Sequence, residues 1–196
     1  MGDGIFYNCA KLASVNIPDS VTSIGFLAFN GCKSLKSLII PNSVKTIGYG
    51  IFSGCTRLAS VTIENGVSNI GTWTFQRCTS LTNITIPDSV TTIGDGTFWS
   101  CVKLSSVTIG NGVTTIGGWA FSACTSLTSI TIPASVTGIE KLAFSQCSKL
   151  TDVTFEGNIA SDNFSTDKSF PGDLRAKYLA EGIGTYTNKD GKWTKE

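Results

Sequence analysis

Apolar and polar residues alternate in short stretches along this chain, and the stretches return at a fixed interval. In Ser106-Val107-Thr108-Ile109, the Val and Ile point one way and the Ser and Thr the other. A period of two with β-branched residues predicts a strand that buries one face. Turn chemistry follows, as Gly110-Asn111-Gly112 here and as Pro87-Asp88-Ser89 after the equivalent Ile86. A Val-x-x-Ile-Gly stretch comes next and predicts a second, shorter strand on a return leg. The rest of the unit, Phe-x-x-Cys-x-x-Leu, predicts irregular or 3₁₀ turns with Phe, Cys and Leu inward.

The interval is constant. Cys9, Cys32, Cys55, Cys78, Cys101, Cys124 and Cys147 are 23 apart at every step, and so are the phenylalanines from Phe6 to Phe144 and the leucines from Leu12 to Leu150. Six complete units run from Leu12 to Lys149, with a fragment before them and a degenerate seventh from Leu150. Strict spacing predicts a solenoid, in which each unit buries its apolar side only against its neighbours. The repeated strand then forms one parallel sheet through all units, with rungs about 4.8 Å apart. Where the proline after the strand is replaced, by Glu64 or Gly110, the next two residues become Asn-Gly. Asn-Gly tolerates positive φ and predicts a different turn type there.

The pattern decays after Phe155. The reading divides the chain into an array, residues 1–155, and a capping segment, residues 156–196. Asp162 and Asp167 fall where Ile and Phe are due, and residues 161–170 read as a loop. Leu174 to Glu181, after Pro171-Gly172-Asp173 and before Gly182, predicts a helix. Thr185-Tyr186-Thr187 and Lys192-Trp193-Thr194 flank Asn-Lys-Asp-Gly and predict a hairpin. Trp193, Tyr186, Tyr178 and Leu174 are expected to pack over Val153 and Phe155. The chain begins mid-unit, and its N-terminal edge is a candidate for pairing with another molecule.

Composition narrows the chemistry. Fifteen basic and 14 acidic residues leave a net charge of +1, too little for binding nucleic acid or anionic membrane by bulk charge. No apolar run is long enough to cross a bilayer, and the first residues do not read as a signal peptide. There is no histidine, hence no His-dependent triad; no phosphate loop or repeated carboxylate pair appears either. The reading is therefore not an enzyme, with no cofactor. Zinc sites use closely spaced cysteines, and none here are nearer than 23 residues, so no metal is expected. The seven cysteines read as a buried ladder of free thiols behaving as small hydrophobes.

The repeat Cys-x-x-Leu-x-x-Ile-x-Ile-Pro-x-x-Val-x-x-Ile-Gly-x-x-x-Phe resembles the Treponema pallidum-type, or BspA-like, bacterial leucine-rich repeat across residues 4–155. The tail from Phe170-Pro-Gly-Asp to Lys192-Trp-Thr resembles the segment that ends many such arrays. The resemblance implies a leucine-rich-repeat solenoid, a β-rich right-handed coil with the strand sheet on its concave side. It also implies a secreted or cell-surface protein that adheres to host or bacterial surface proteins. It transfers no binding residue.

Two surfaces are candidates for binding. The strand's outward positions, expected to be concave, carry Ser37, Ser60, Asn83, Ser106 and Ser129 in one column. The neighbouring column carries Ile39, Thr62, Thr85, Thr108 and Thr131. The face reads as a solubilising Ser/Thr ladder or as a protein-binding surface that works weakly or through many copies. The other candidate is an aromatic strip on the return side: Phe26, Tyr49, Trp73, Trp99 and Trp119. It reads as packing into gaps left by glycines, or as a docking strip. The functional reading is a protein-binding or adhesion module; the alternative is a structural spacer or self-associating surface element.

Overall fold

A computed structural model describes all 196 residues. Two kinds of strand alternate along it. The short ones are β1 (Ser23–Ile24), β3 (Thr46–Ile47), β5 (Asn69–Ile70), β7 (Thr92–Ile93), β9 (Thr115–Ile116) and β11 (Gly138–Ile139). The long ones are β2 (Ser37–Ile40), β4 (Ser60–Ile63), β6 (Asn83–Ile86), β8 (Ser106–Ile109), β10 (Ser129–Ile132) and β12 (Asp152–Phe155). In each long strand the second and fourth side chains turn inward, as the period of two requires. One continuous core of 52 buried residues runs the length of the solenoid.

The long strands do not form one uninterrupted sheet, and here the sequence expectation is corrected. β2 pairs with β4, β6 with β8, and β10 with β12, all parallel with a register of one unit. No ladder joins β4 to β6 or β8 to β10, and residues 14–17 form no strand beside β2. Each gap coincides with a proline after the later strand: Pro41, Pro87 and Pro133. Each ladder coincides with its absence: Glu64, Gly110 and Glu156. The Glu64 N–H donates to the Ile40 carbonyl and the Glu156 N–H to that of Ile132, both at 3.0 Å. Proline has no N–H to offer at the equivalent place.

The turns after the strands pair in the same alternation. A Cβ on Gly66 would lie 2.0 Å from the Asn42 carbonyl oxygen, and one on Gly112 would lie 1.8 Å from that of Asp88. Glycine is required there for close approach. Neither Asn65, Asn111 nor these glycines take a positive φ, contrary to the expectation from Asn-Gly. From β2 onward the structural unit is therefore two rungs, 2 × 23 = 46 residues.

The segment around each phenylalanine turns without strand or helix. Two positions per rung, four residues apart, are left-handed; Trp73 (φ 59°) and Arg77 (φ 57°) are one pair. This conformation aims backbone N–H groups along the solenoid axis. Trp73, Phe75 and Arg77 each donate to the next rung, to Asp95, Thr97 and Trp99, at 2.8 Å. The phenylalanines they flank stack ring on ring from Phe6 to Phe144, with centroids 5.1–5.5 Å apart.

The seventh rung closes by a route the sequence reading missed. Phe164 bridges to Ile139, and Phe170 stacks on Phe144 at 4.5 Å. Two residues inserted before the first and three before the second moved both out of their columns, so residues 161–170 complete a rung. The helix α1 (Leu174–Glu181) and the hairpin β13 (Gly184–Lys189) and β14 (Lys192–Lys195) form where the sequence places them. β13 lies antiparallel along β12, with Val153 opposite Tyr186. Tyr178 packs against Phe155 with the rings tilted and their centroids 4.3 Å apart; its hydroxyl accepts from Ile159 N–H and donates to the Gly157 carbonyl, both 2.8 Å. Trp193 is fully buried and donates to the Pro171 carbonyl. The outermost strand, β14, carries Lys192 and Lys195, charges that discourage further pairing.

Candidate binding surfaces

The strand face presents every residue that the sequence placed there. Ser37, Ile39, Ser60, Thr62 and Asn83 are exposed, and so are Thr85, Ser106, Thr108, Ser129 and Thr131. Among their side chains only Asn83 hydrogen-bonds within the protein, to the neighbouring Thr82 hydroxyl at 3.1 Å. The hydroxyls are free to meet water or a partner. Ile39, 57% exposed, is the one apolar member.

The aromatic strip divides into two. Phe26 and Tyr49 are exposed, at 58% and 47%, on adjacent early rungs. Trp73, Trp99 and Trp119 come together further along, with Trp73 and Trp99 edge to face at 5.8 Å. They line a cleft of about 900 Å³ with Ser122, Leu142, Ser145, Gln146, Lys168, Phe170, Pro171 and Gly172. Arg77 stacks over Trp99 at 5.2 Å and Lys141 over Trp119 at 4.6 Å.

How the cleft forms follows from one column. Gly4, Leu27, Gly50, Trp73, Gly96, Trp119 and Leu142 all have φ between 54° and 60°. Glycine suits this conformation, whereas a side chain costs about 1–2 kcal/mol there. Glycine and a bulky residue alternate, and the bulky one leans over the next rung's glycine. A Cβ on Gly96 would lie 2.0 Å from the Trp73 ring, and one on Gly50 would lie 2.9 Å from Leu27. After Trp119 the alternation ends, because Leu142 replaces glycine, and the cleft opens at that point. Of these glycines, Gly96 lies under an aromatic ring, that of Trp73, and Gly50 lies under the aliphatic Leu27. The cleft's far wall, Phe170 to Gly172, comes from the seventh rung, which the repeat pattern did not reveal. Counting that column in steps of two rungs would have exposed the break.

All seven cysteines are free; six are buried, but Cys9 in the first turn is exposed, which corrects the expectation of a wholly buried ladder. Each buried thiol donates to a phenylalanine carbonyl 26 residues back, as Cys78 does to Phe52 at 3.2 Å. Burial lifts Cys55, Cys101 and Cys147 from 9.0 to about 12, Cys32 to about 11, and Cys78 and Cys124 well above their ordinary value. Such thiols are poor nucleophiles and poor metal ligands. No group of three His, Cys, Asp or Glu side chains could hold a metal ion, and no helix is long and apolar enough to cross a membrane.

Parallel one-rung units, inward Leu, Ile and Phe columns and a free strand face define a leucine-rich-repeat solenoid. Within that class, the chain belongs to the BspA-type leucine-rich repeat family, whose model matches residues 1–125 and 75–168 in six copies. It is a repeat family of bacterial surface proteins, generally protein-binding. A leucine-rich cell surface protein from Faecalibacterium prausnitzii is 36% identical over 98% of this chain, with a TM-score of 0.75. The chain spans 48% of that protein's length. The T. pallidum leucine-rich repeat protein is 33% identical over 76% of this chain and 71% of its own, with a TM-score of 0.69. A leucine-rich repeat protein from Eubacterium ventriosum is 33% identical over 68% of this chain and 36% of its own, with a TM-score of 0.66. No curated protein matches the chain.

Proposed function

We propose that this chain is a non-enzymatic adhesion module of a secreted or surface-held bacterial protein, binding extracellular protein partners through its strand face. The observation that carries the reading is the row of exposed, uncharged strand side chains whose hydroxyls are unspent within the fold. Such a row can exchange water for a partner's polar groups with little desolvation cost. It lacks the aromatic and arginine anchors of strong interfaces, so its affinity comes from many small contacts or many copies. The likeness to a Faecalibacterium cell surface protein supports the location.

The test is binding of the full chain to a panel of immobilised extracellular-matrix and bacterial surface proteins, with its solution mass measured alongside. Thr85→Lys puts a charge in the middle of the face and should weaken binding about tenfold or more, with folding unchanged. Trp73→Gly, on the other side, should leave it intact. Failure to bind any member of the panel, or binding indifferent to Thr85→Lys, overturns the reading.

A further inference from the structure

We infer that the tryptophan cleft is a second, independent site, and that it takes a carboxylate-bearing sugar. It lies on the return side and does not rest on the strand-face reading. Its volume of about 900 Å³ falls within the range of small-ligand sites. It is not part of the periodic surface: it occurs once, where the glycine alternation breaks and the seventh rung supplies a wall.

The cleft's chemistry selects the ligand. Three indoles, with Leu142, Phe170 and Pro171 beside them, make its apolar surface, and an indole is flat and electron-rich on its faces, which attracts polarised C–H groups. Its unspent polar groups are mostly donors. The indole N–H groups of Trp73, Trp99 and Trp119, the Gln146 amide and the Lys168 ammonium have no partner in the protein; only Trp193 among the tryptophans donates internally. The Ser122 and Ser145 hydroxyls hydrogen-bond each other at 2.8 Å. No carboxylate lines the cleft. The molecule's one ion pair joins Lys177 to Glu181, so Lys168, Arg77 and Lys141 are all unpaired cations. The nearby carboxylate of Asp95 is engaged by the Gly118 N–H at 2.8 Å.

A ligand that fits must therefore be acceptor-rich and anionic, and must carry a flat apolar face. An acidic pyranose has all three: C–H groups on its faces, oxygens around its edge and a carboxylate for Lys168. An acidic peptide side chain brings the charge on a narrow stem that leaves the indoles uncovered. A cationic ligand would meet Arg77 and Lys141, which already hold positions over Trp99 and Trp119.

The experiment is titration of the full chain with a glucuronate-containing tetrasaccharide, followed by tryptophan fluorescence and calorimetry. A neutral tetrasaccharide and a tetraglutamate peptide serve as the other arms. The expected result is millimolar or tighter binding of the acidic sugar, with the neutral sugar weaker by about tenfold, the scale of one charge-assisted contact. Lys168→Gln should abolish that difference. Trp119→Gly, which installs the residue that alternate rungs carry at this left-handed position, should abolish binding while the melting temperature is held or raised. Equal binding of both sugars overturns the proposal. So does binding of the peptide in their place, or no binding in any arm. If Trp119→Gly fails to fold, the Lys168→Gln result alone decides.

Discussion

The array and the segment that follows it bury apolar surface by opposite means. Each array rung is stabilised by a copy of itself: phenylalanine on phenylalanine, thiol to carbonyl, strand beside parallel strand. Beyond the seventh rung, the segment that ends the chain uses different devices once each. An antiparallel strand covers the edge of β12, a tyrosine hydroxyl satisfies two backbone groups near the last turn, and a buried tryptophan locks the hairpin to Pro171. Repetition makes the array tolerant of length but leaves every end with an open face. The end segment exists only in relation to the rung that it covers.

The largest test removes that relation. Leu174, Tyr178, Tyr186 and Trp193 are all buried. At about 1.5–3 kcal/mol each, their burial amounts to roughly 6–12 kcal/mol, comparable to the whole stability of an ordinary domain. Deleting residues 171–196 should lower the melting temperature by many degrees and promote aggregation through β12. A truncated chain that stays monomeric with an unchanged melting temperature, by light scattering and calorimetry, shows that the array needs no cover at this end.

The two regions differed in how far the sequence disclosed them. The period of 23 is visible because no unit before Leu150 gains or loses a residue, and equal spacing is what stacking demands. The helix and hairpin of the end segment were legible for another reason: glycine at 182 and Asn-Lys-Asp-Gly are local stop and turn signals that need no tertiary context. Phe164 and Phe170 were not legible. Their columns shift by two and three residues, and fixed-interval reading passes over them to Asp162 and Asp167. The strand-face residues were found because alternation alone decides inside from outside. The cleft was found only in part: the tryptophan column was visible, but its closing wall depends on those displaced residues.

The second test separates the regions by pH. Only the array holds buried thiols. A thiol is neutral when protonated, so the unfolded chain ionises from about 9, while the folded chain keeps its protons to about 12 at Cys55, Cys101 and Cys147. Between those values the unfolded state binds fewer protons, and stability falls as pH rises; below 9.0 it is intact. Cys78 and Cys124, raised by the same burial, act in the same direction as these three, so stability falls more steeply with pH than one thiol alone would make it. The array should lose its fold cooperatively between pH 9.0 and about 12, as read by far-ultraviolet dichroism. At pH 8 a thiol reagent should titrate Cys9 alone, and all seven cysteines after unfolding without reductant. A fold that persists to pH 12, or several reactive thiols in the native state, contradicts the buried ladder.

The smallest effect lies inside the array and asks whether its rungs can be joined as continuously as β12 is to β13. Pro87 stands where Glu64 stands one rung earlier, and the Glu64 N–H reaches the Ile40 carbonyl at 3.0 Å. Pro87→Ala supplies the missing donor opposite Ile63. The new hydrogen bond contributes about 0.5–1.5 kcal/mol, and losing proline's restraint on the unfolded chain costs about 0.4–1. The two nearly cancel, so the melting temperature should move by only a degree or two while the sheet changes. Alanine leaves Asp88 in place, as it must, because Gly112 packs directly on the Asp88 carbonyl. Hydrogen exchange should find the new amide at position 87 protected to the same degree as that of Glu64. Exchange at the solvent rate would mean that proline is not what interrupts the sheet. The cause would then be the contact between Gly112 and Asp88, which ties that turn to the following rung and holds it away from the preceding one.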